Sequence, residues 1–133
     1  MLVFVDANIL IYHLEAKPDL GARAAARLAT LHAVGDQVVV SDLIRMECRV
    51  GPLKSGDAAL LAGYDGFFSA RDVQVVGLTP AVCDRAAAIR AAHGFRTPDA
   101  LNLAAAMESG CGAFLTNDTR FARFPGLTVE ALP

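Results

Sequence analysis

The stretch Leu2-Val3-Phe4-Val5-Asp6-Ala7-Asn8-Ile9-Leu10-Ile11 decides the fold. A short, continuous apolar run rich in β-branched and aromatic residues suits a buried strand. It runs straight into a carboxylate, and the chain is then apolar again except at Asn8. Asp6 is therefore expected at the carboxyl end of a strand, where the simplest task for an aspartate is to cap the helix that follows.

Working outward, similar short apolar runs recur at Val38–Val40, Val73–Val76, Ala113–Thr116 and Leu127–Val129. Helical patterns lie between them. Leu20, Ala24, Leu28 and Leu31 mark one face of a helix that Gly35 can end. Val82, Ala86 and Ile89 mark another, opened by Thr79 as cap with Pro80 in the first turn and stopped near Gly94. Thr97 and Pro98 repeat that opening ahead of Asp99. Strands alternating with helices imply βα crossovers, hence an α/β chain with a mostly parallel sheet between helices on both faces. No repeat, low-complexity tract or linker divides residues 1–133, which read as a single domain. In such sheets ligands bind beyond the carboxyl ends of the strands, where the strand order reverses.

At 133 residues with 54% hydrophobic and 20% charged residues, the composition supports a packed core and excludes disorder. The apolar start lacks a basic leader and is interrupted by Asp6, unlike a signal peptide. No uncharged run is long enough for a membrane span, so a soluble cytoplasmic protein is expected. Cys48, Cys83 and Cys111 are odd in number and widely spaced, which favours buried reduced thiols over a metal cluster. A net charge of −2 argues against a protein that coats nucleic acid, yet apart from Lys17 and Lys54 every basic residue is an arginine. Arginine can grip a phosphate with two parallel hydrogen bonds.

Most of the acids, including Asp19, Asp36, Asp57, Asp65 and Asp72, sit in polar or turn-like surroundings and need no function. Four do not. Asp6 has been placed at a strand end. Glu47 lies in a segment that can run helically from Ser41 to Gly51-Pro52, within a stripe formed with Leu43, Met46 and Val50, while Arg45 and Arg49 point the other way. An inward carboxylate needs a partner, either an arginine, a metal or a proton. Asp99 opens a helix apolar on nearly every side, in which only Asn102 is also polar; alone, it would simply complement the helix dipole. Asp118 follows the strand Ala113–Thr116, where Asn117-Asp118 would by itself read as a turn. Four separate explanations for acids falling on one edge of a parallel sheet are less economical than one shared cause, a hard divalent cation. Mg²⁺ and Mn²⁺ prefer oxygen ligands, and four carboxylates suffice for one ion or two, as phosphodiester hydrolysis can require. His13, His32 and His93 are scattered and offer no zinc cluster.

In these residues the chain resembles the PIN-domain nucleases, and among them the VapC-type toxins. The matching segments are Val5–Ile11, Arg45-Met46-Glu47, Thr97–Ala106 and Thr116–Phe121, in that order along nearly the whole chain. The resemblance implies a three-layer α/β/α sandwich around a five-stranded sheet, with Asp6, Glu47, Asp99 and Asp118 around Mg²⁺ or Mn²⁺. It also implies an endoribonuclease that is the toxin of a type II toxin–antitoxin pair, a homodimer, and inhibition by a VapB-like antitoxin. Ala7 departs from many relatives, which carry a hydroxyl residue there; Asn8 and Thr116 remain as polar side chains to orient the acids. Arg120, close to Asp118, is the candidate RNA-phosphate contact, with an ion pair as the competing role; Arg96 and Arg123 are weaker candidates.

Two other classes compete. A phosphoaccepting receiver-like domain would share the α/β pattern but needs a lysine near the last strand, and Lys17 and Lys54 lie elsewhere. A PIN-type nuclease of RNA maturation or DNA processing would keep the site and usually add substrate-guiding segments, for which this chain has no spare length.

Overall fold

The computed structural model describes residues 1–133. In chain order the elements are β1 (Leu2–Val5), α1 (Ala7–Leu14), α2 (Leu20–Ala33), β2 (Gln37–Ser41), α3 (Asp42–Ser55) and α4 (Ala58–Phe68). They continue with β3 (Val73–Val76), α5 (Pro80–His93), α6 (Thr97–Glu108), β4 (Ala113–Thr116), a 3₁₀ turn (Thr119–Arg123) and β5 (Val129–Ala131).

All five strands are parallel, in the order β3-β2-β1-β4-β5. From β1 the chain moves outward to β2 and β3, then returns across the sheet to β4 and β5. Right-handed crossovers therefore put α1 to α4 on one face and α5 and α6 on the other. The contacts agree, since α1 touches α2, α3 and α4 while α5 packs on α6. The strand order reverses between β1 and β4, whose register pairs Val3 with Ala113 and Val5 with Leu115. There the core is densest: Val3, Phe4, Val5, Phe114 and Leu115 are fully buried. The rings of Phe4 and Phe114 stack at 5.1 Å.

The anticipated faces of α2 and α5 are the buried ones, with Ala24 and Leu31 in one and Val82, Ala86 and Ile89 in the other. The Thr79 hydroxyl accepts from the Val82 amide at 3.2 Å, and Gly94 closes α5 with φ +71°. A left-handed residue there costs glycine little.

Several expectations need correction. β5 lies later than Leu127–Val129. The cap of α6 is Arg96, not Thr97, which is already helical. α3 does not stop at Gly51-Pro52 but continues to Ser55. Pro52 has no N–H to donate to the Cys48 carbonyl, yet it lies buried within the helix. The inward face of α3 is Ile44, Cys48 and Pro52, whereas Met46 and Val50 are 53% and 43% exposed. The stripe chosen by angular counting omitted Ile44 and Cys48, which α3 buries instead. The sequence reading passed over α4, although Asp57 caps it by accepting from the Leu60 amide at 3.0 Å. Asp65, within α4, pairs with Arg45 and Arg49 instead of lying in a turn. Cys48 and Cys111 are buried, but Cys83 is exposed on α5. No helix is long and apolar enough to cross a membrane.

Candidate metal centre

The four singled-out acids come from four separate places at the carboxyl edge of the sheet. Asp6 sits in the one-residue turn between β1 and α1 and is only 8% exposed. Its Oδ1 caps α1 by accepting from the Ala7 amide at 2.8 Å. Its Oδ2 accepts from the Thr116 hydroxyl at 2.7 Å and from Asn8 Nδ2 at 3.3 Å. Oδ1 serves the helix and Oδ2 the Thr116 and Asn8 side chains, and because each carboxylate oxygen can take more than one partner, the cap and a ligand role are compatible.

Thr116, fully within the core at the end of β4, also accepts from the Asp118 amide at 3.0 Å and from Asn8 Nδ2 at 3.3 Å. Asn8 Oδ1 accepts from the Asn117 amide at 3.2 Å. Asn8 and Thr116 therefore stitch the ends of β1 and β4 together where the strand order reverses. This network fixes Asp6 relative to Asp118, whose side chain caps the 3₁₀ turn.

Glu47 reaches the edge from α3 and is half-buried. Its Oε1 lies 3.5 Å from Asn102 Nδ2, a long hydrogen bond. Asn102 Oδ1 accepts at 2.7 Å from the Ser41 hydroxyl, which in turn caps α3 by accepting from the Ile44 amide at 3.1 Å. Ser41 and Asn102 were not among the candidate site residues. The available signal was Asn102 alone, a polar residue three positions beyond Asp99 in an otherwise apolar helix. Asp99 stands in the first turn of α6, 3.4 Å from Arg96 Nε and 3.9 Å from Arg120 Nη2.

Charge divides the quartet. Burial pushes the Asp6 carboxyl above its usual range, opposed by the Thr116 and Ala7 hydrogen bonds and reinforced by the charges of Asp99 and Asp118. Burial likewise raises Glu47, with Asp6 adding repulsion. Asp118 is lowered, first by the hydrogen bonds from Arg120. No basic side chain pairs with Asp6 or Glu47; their hydrogen-bond partners are neutral. Arg120 instead clasps Asp118, with Nε donating to both carboxylate oxygens at 3.0 Å and Nη2 to Oδ2 at 2.5 Å.

The donor set fits a hard divalent cation: oxygen only, several negative charges, and two carboxylates with no protein cation to neutralise them. No three side chains already stand together as a finished ligand cage. Arg120, lying across Asp118 and towards Asp99, keeps the outer half of the set engaged.

The comparisons agree with this architecture. The structure superposes on the VapBC2 complex of Rickettsia felis bound to a promoter DNA fragment, with a TM-score of 0.81 at 20% identity over the full length of both chains. DNA-bound VapBC of Salmonella typhimurium gives 0.80 at 24% identity, again over both full lengths. The VapC20 toxin of Mycobacterium tuberculosis, which cleaves the sarcin-ricin loop, gives 0.72 at 17% identity, covering 95% of this chain and 98% of that one. No curated protein sequence matches the chain. The PIN domain profile matches residues 3–127, a span that contains all four acids and the reversal between β1 and β4, and so the chain belongs to the PIN domain family.

Proposed function

We propose that this protein is a Mg²⁺- or Mn²⁺-dependent endoribonuclease acting as the toxin of a type II toxin–antitoxin pair. One observation carries the reading: Asp6, buried, and Glu47, half-buried, at the carboxyl edge of the sheet have no positive hydrogen-bond partner within the chain. Leaving buried carboxylates uncompensated costs stability, a cost that function can justify. Asp6, Glu47, Asp99 and Asp118 would hold the cation. When bound, it supplies charge that polarises the scissile phosphate and acidifies water. Thr116 and Asn8 fix the direction of Asp6, Asn102 does the same for Glu47, and Arg120 contacts an RNA phosphate.

The partners follow from the neighbours and the surface. Several of the structural neighbours were solved as toxin–antitoxin complexes, which supports a VapB-like antitoxin for this chain. For a homodimer the suitable face is that of Met46, Val50 and Leu53 on α3, exposed apolar side chains around a hollow of about 320 Å³. Asp42, Arg45 and Arg49 border it, so a two-fold copy could set acid against base.

RNA is favoured over DNA by the likeness to a toxin that cleaves an RNA loop. The test is incubation of structured RNA and of single-stranded and flap DNA with the purified protein, with added Mg²⁺ or Mn²⁺ and with excess chelator. Internal cleavage of RNA confined to the metal-containing samples supports the proposal. Cleavage of DNA alone would move the protein to DNA processing, and RNA cleavage undiminished in chelator would reject the metal.

A further inference from the structure

Within the acidic quartet the chain provides its own cation to one half and none to the other. Arg120 makes three side-chain hydrogen bonds to Asp118, and its Nη2 lies 3.9 Å from Asp99 Oδ2. One guanidinium thus spans carboxylates from two elements, the turn after β4 and the first turn of α6. Its own backbone amide donates to Asp118 Oδ1 at 3.0 Å, so side chain and main chain of Arg120 hold the same carboxylate. The Arg120 side chain is nevertheless 54% exposed, with solvent to move into. Arg96 differs: it reaches Asp99 alone, through one long contact at 3.4 Å.

We propose that Arg120 is a resident counter-ion of the metal centre, which a divalent cation must displace from Asp118 and Asp99 in order to bind. This rests on the metal-site reading of the quartet. A cation drawn to Asp6 and Glu47 gains further protein ligands, in place of water, only by taking carboxylates that the guanidinium already occupies. Metal affinity is then the outcome of a competition and lies below that of the bare acids. Once displaced, Arg120 needs a new anionic partner, and an RNA phosphate arriving at the edge provides one. Phosphate and cation would thus favour each other's binding, as linkage requires of two ligands that bias the same side chain in the same direction.

The test is calorimetric titration of Mn²⁺ into the full-length wild type, Arg120→Gln and Arg96→Gln at one pH and ionic strength, so that binding is read without cleavage. Both substitutions remove one positive charge near the site, but only the first removes the clasp. Arg120→Gln is expected to bind Mn²⁺ about fivefold more tightly than wild type, the scale of a well-formed ion pair near the surface. Arg96→Gln should change affinity clearly less. Arg120→Lys, which keeps the charge but loses the planar fork, should fall between wild type and Arg120→Gln. Unchanged or weaker binding by Arg120→Gln, while the wild type binds Mn²⁺, overturns the counter-ion role and leaves the metal site standing. Equal tightening by Arg96→Gln overturns it as well, since bulk charge would then explain the effect. No Mn²⁺ binding by any of the proteins overturns the metal site itself, and the counter-ion role with it.

Discussion

The Thr116 hydroxyl donates to Asp6 Oδ2 at 2.7 Å while accepting from the Asp118 amide at 3.0 Å. A single buried hydroxyl thereby ties the first acid of the quartet to the last. Thr116→Val keeps the shape and removes both of these bonds and the one from Asn8 Nδ2, so the cost expected is about 1–3 kcal/mol, that of leaving buried polar groups unsatisfied. Because the Thr116 bond holds the Asp6 carboxyl down, its loss should move the acid limb of the activity profile to higher pH. Thermal melts and rates across pH check both. A profile unmoved in a folded Thr116→Val protein would mean that Thr116 does not set the ionisation of Asp6.

Asp6 and Glu47 have carboxyl groups raised above their ordinary values of 3.8 and 4.5, chiefly by burial. The sign follows from linkage. A raised folded pKa contributes stability that is fully present below the unfolded value and is lost as pH rises through the folded one. Asp118, lowered by Arg120, works in the opposite sense: its contribution is present above 3.8 and fades as pH falls through its lowered value. In chelator, Asp6→Asn should therefore melt above wild type at neutral pH, with asparagine retaining the helix cap. The gain should shrink as pH falls and vanish below about 3.8, where Asp6 becomes protonated in both states. Melting curves of the two proteins across that range decide it. A lower melting temperature for Asp6→Asn at neutral pH would show that the charge is already compensated.

Metal should reverse that order. A cation that binds only the folded state raises stability as its concentration rises above its dissociation constant. Mn²⁺ should raise the melting temperature of wild type, and Asp99→Asn should reduce the response. If Asp99 only complements the dipole of α6, the substitution would lower stability by up to about 1 kcal/mol and leave the Mn²⁺ shift intact.

Met46→Glu tests the proposed dimer face. Met46 is exposed and lies away from the buried line of α3, so the monomer should fold normally. Light scattering coupled to size exclusion should then show a dimer for wild type and a monomer for Met46→Glu. A dimer that survives the substitution would move the interface elsewhere; a wild-type monomer that loses only its antitoxin would assign the face to that partner.

Much of this was legible from the order of residues. β1, β3 and β4 have the bounds expected of them, because short apolar runs ending at Asp6, Gly77 and Asn117 leave little choice of register. The position of Asp6 and Asp118 at strand ends could be anticipated from the alternation of strands and helices, whereas the pairing of β1 with β4 that makes those ends neighbours could not. The orientation of α3 could not, since its apolar residues cover more than one face and tertiary packing chose Ile44, Cys48 and Pro52. α4 carries two poor helix formers, Gly63 and Gly66, which weaken its local signal, yet both are exposed and tolerated in a helix anchored by Tyr64 and Phe68. Nor could periodicity reveal that Arg120 lies on Asp118, because residues two apart in a 3₁₀ turn meet only through the side chain's reach.

The central claim is that Asp6 and its fellow acids hold the cation with which the protein cuts RNA. The most direct measurement is the single-turnover rate of RNA cleavage by wild type and Asp6→Asn across a Mn²⁺ titration, with folding checked by circular dichroism. Wild type should be inactive in chelator and gain rate with Mn²⁺ until it saturates. Folded Asp6→Asn should lose about a hundredfold or more at every concentration, as expected when a ligand charge is removed from a metal centre. Wild-type rates from folded Asp6→Asn, or wild-type cleavage undiminished by chelator, would contradict the claim.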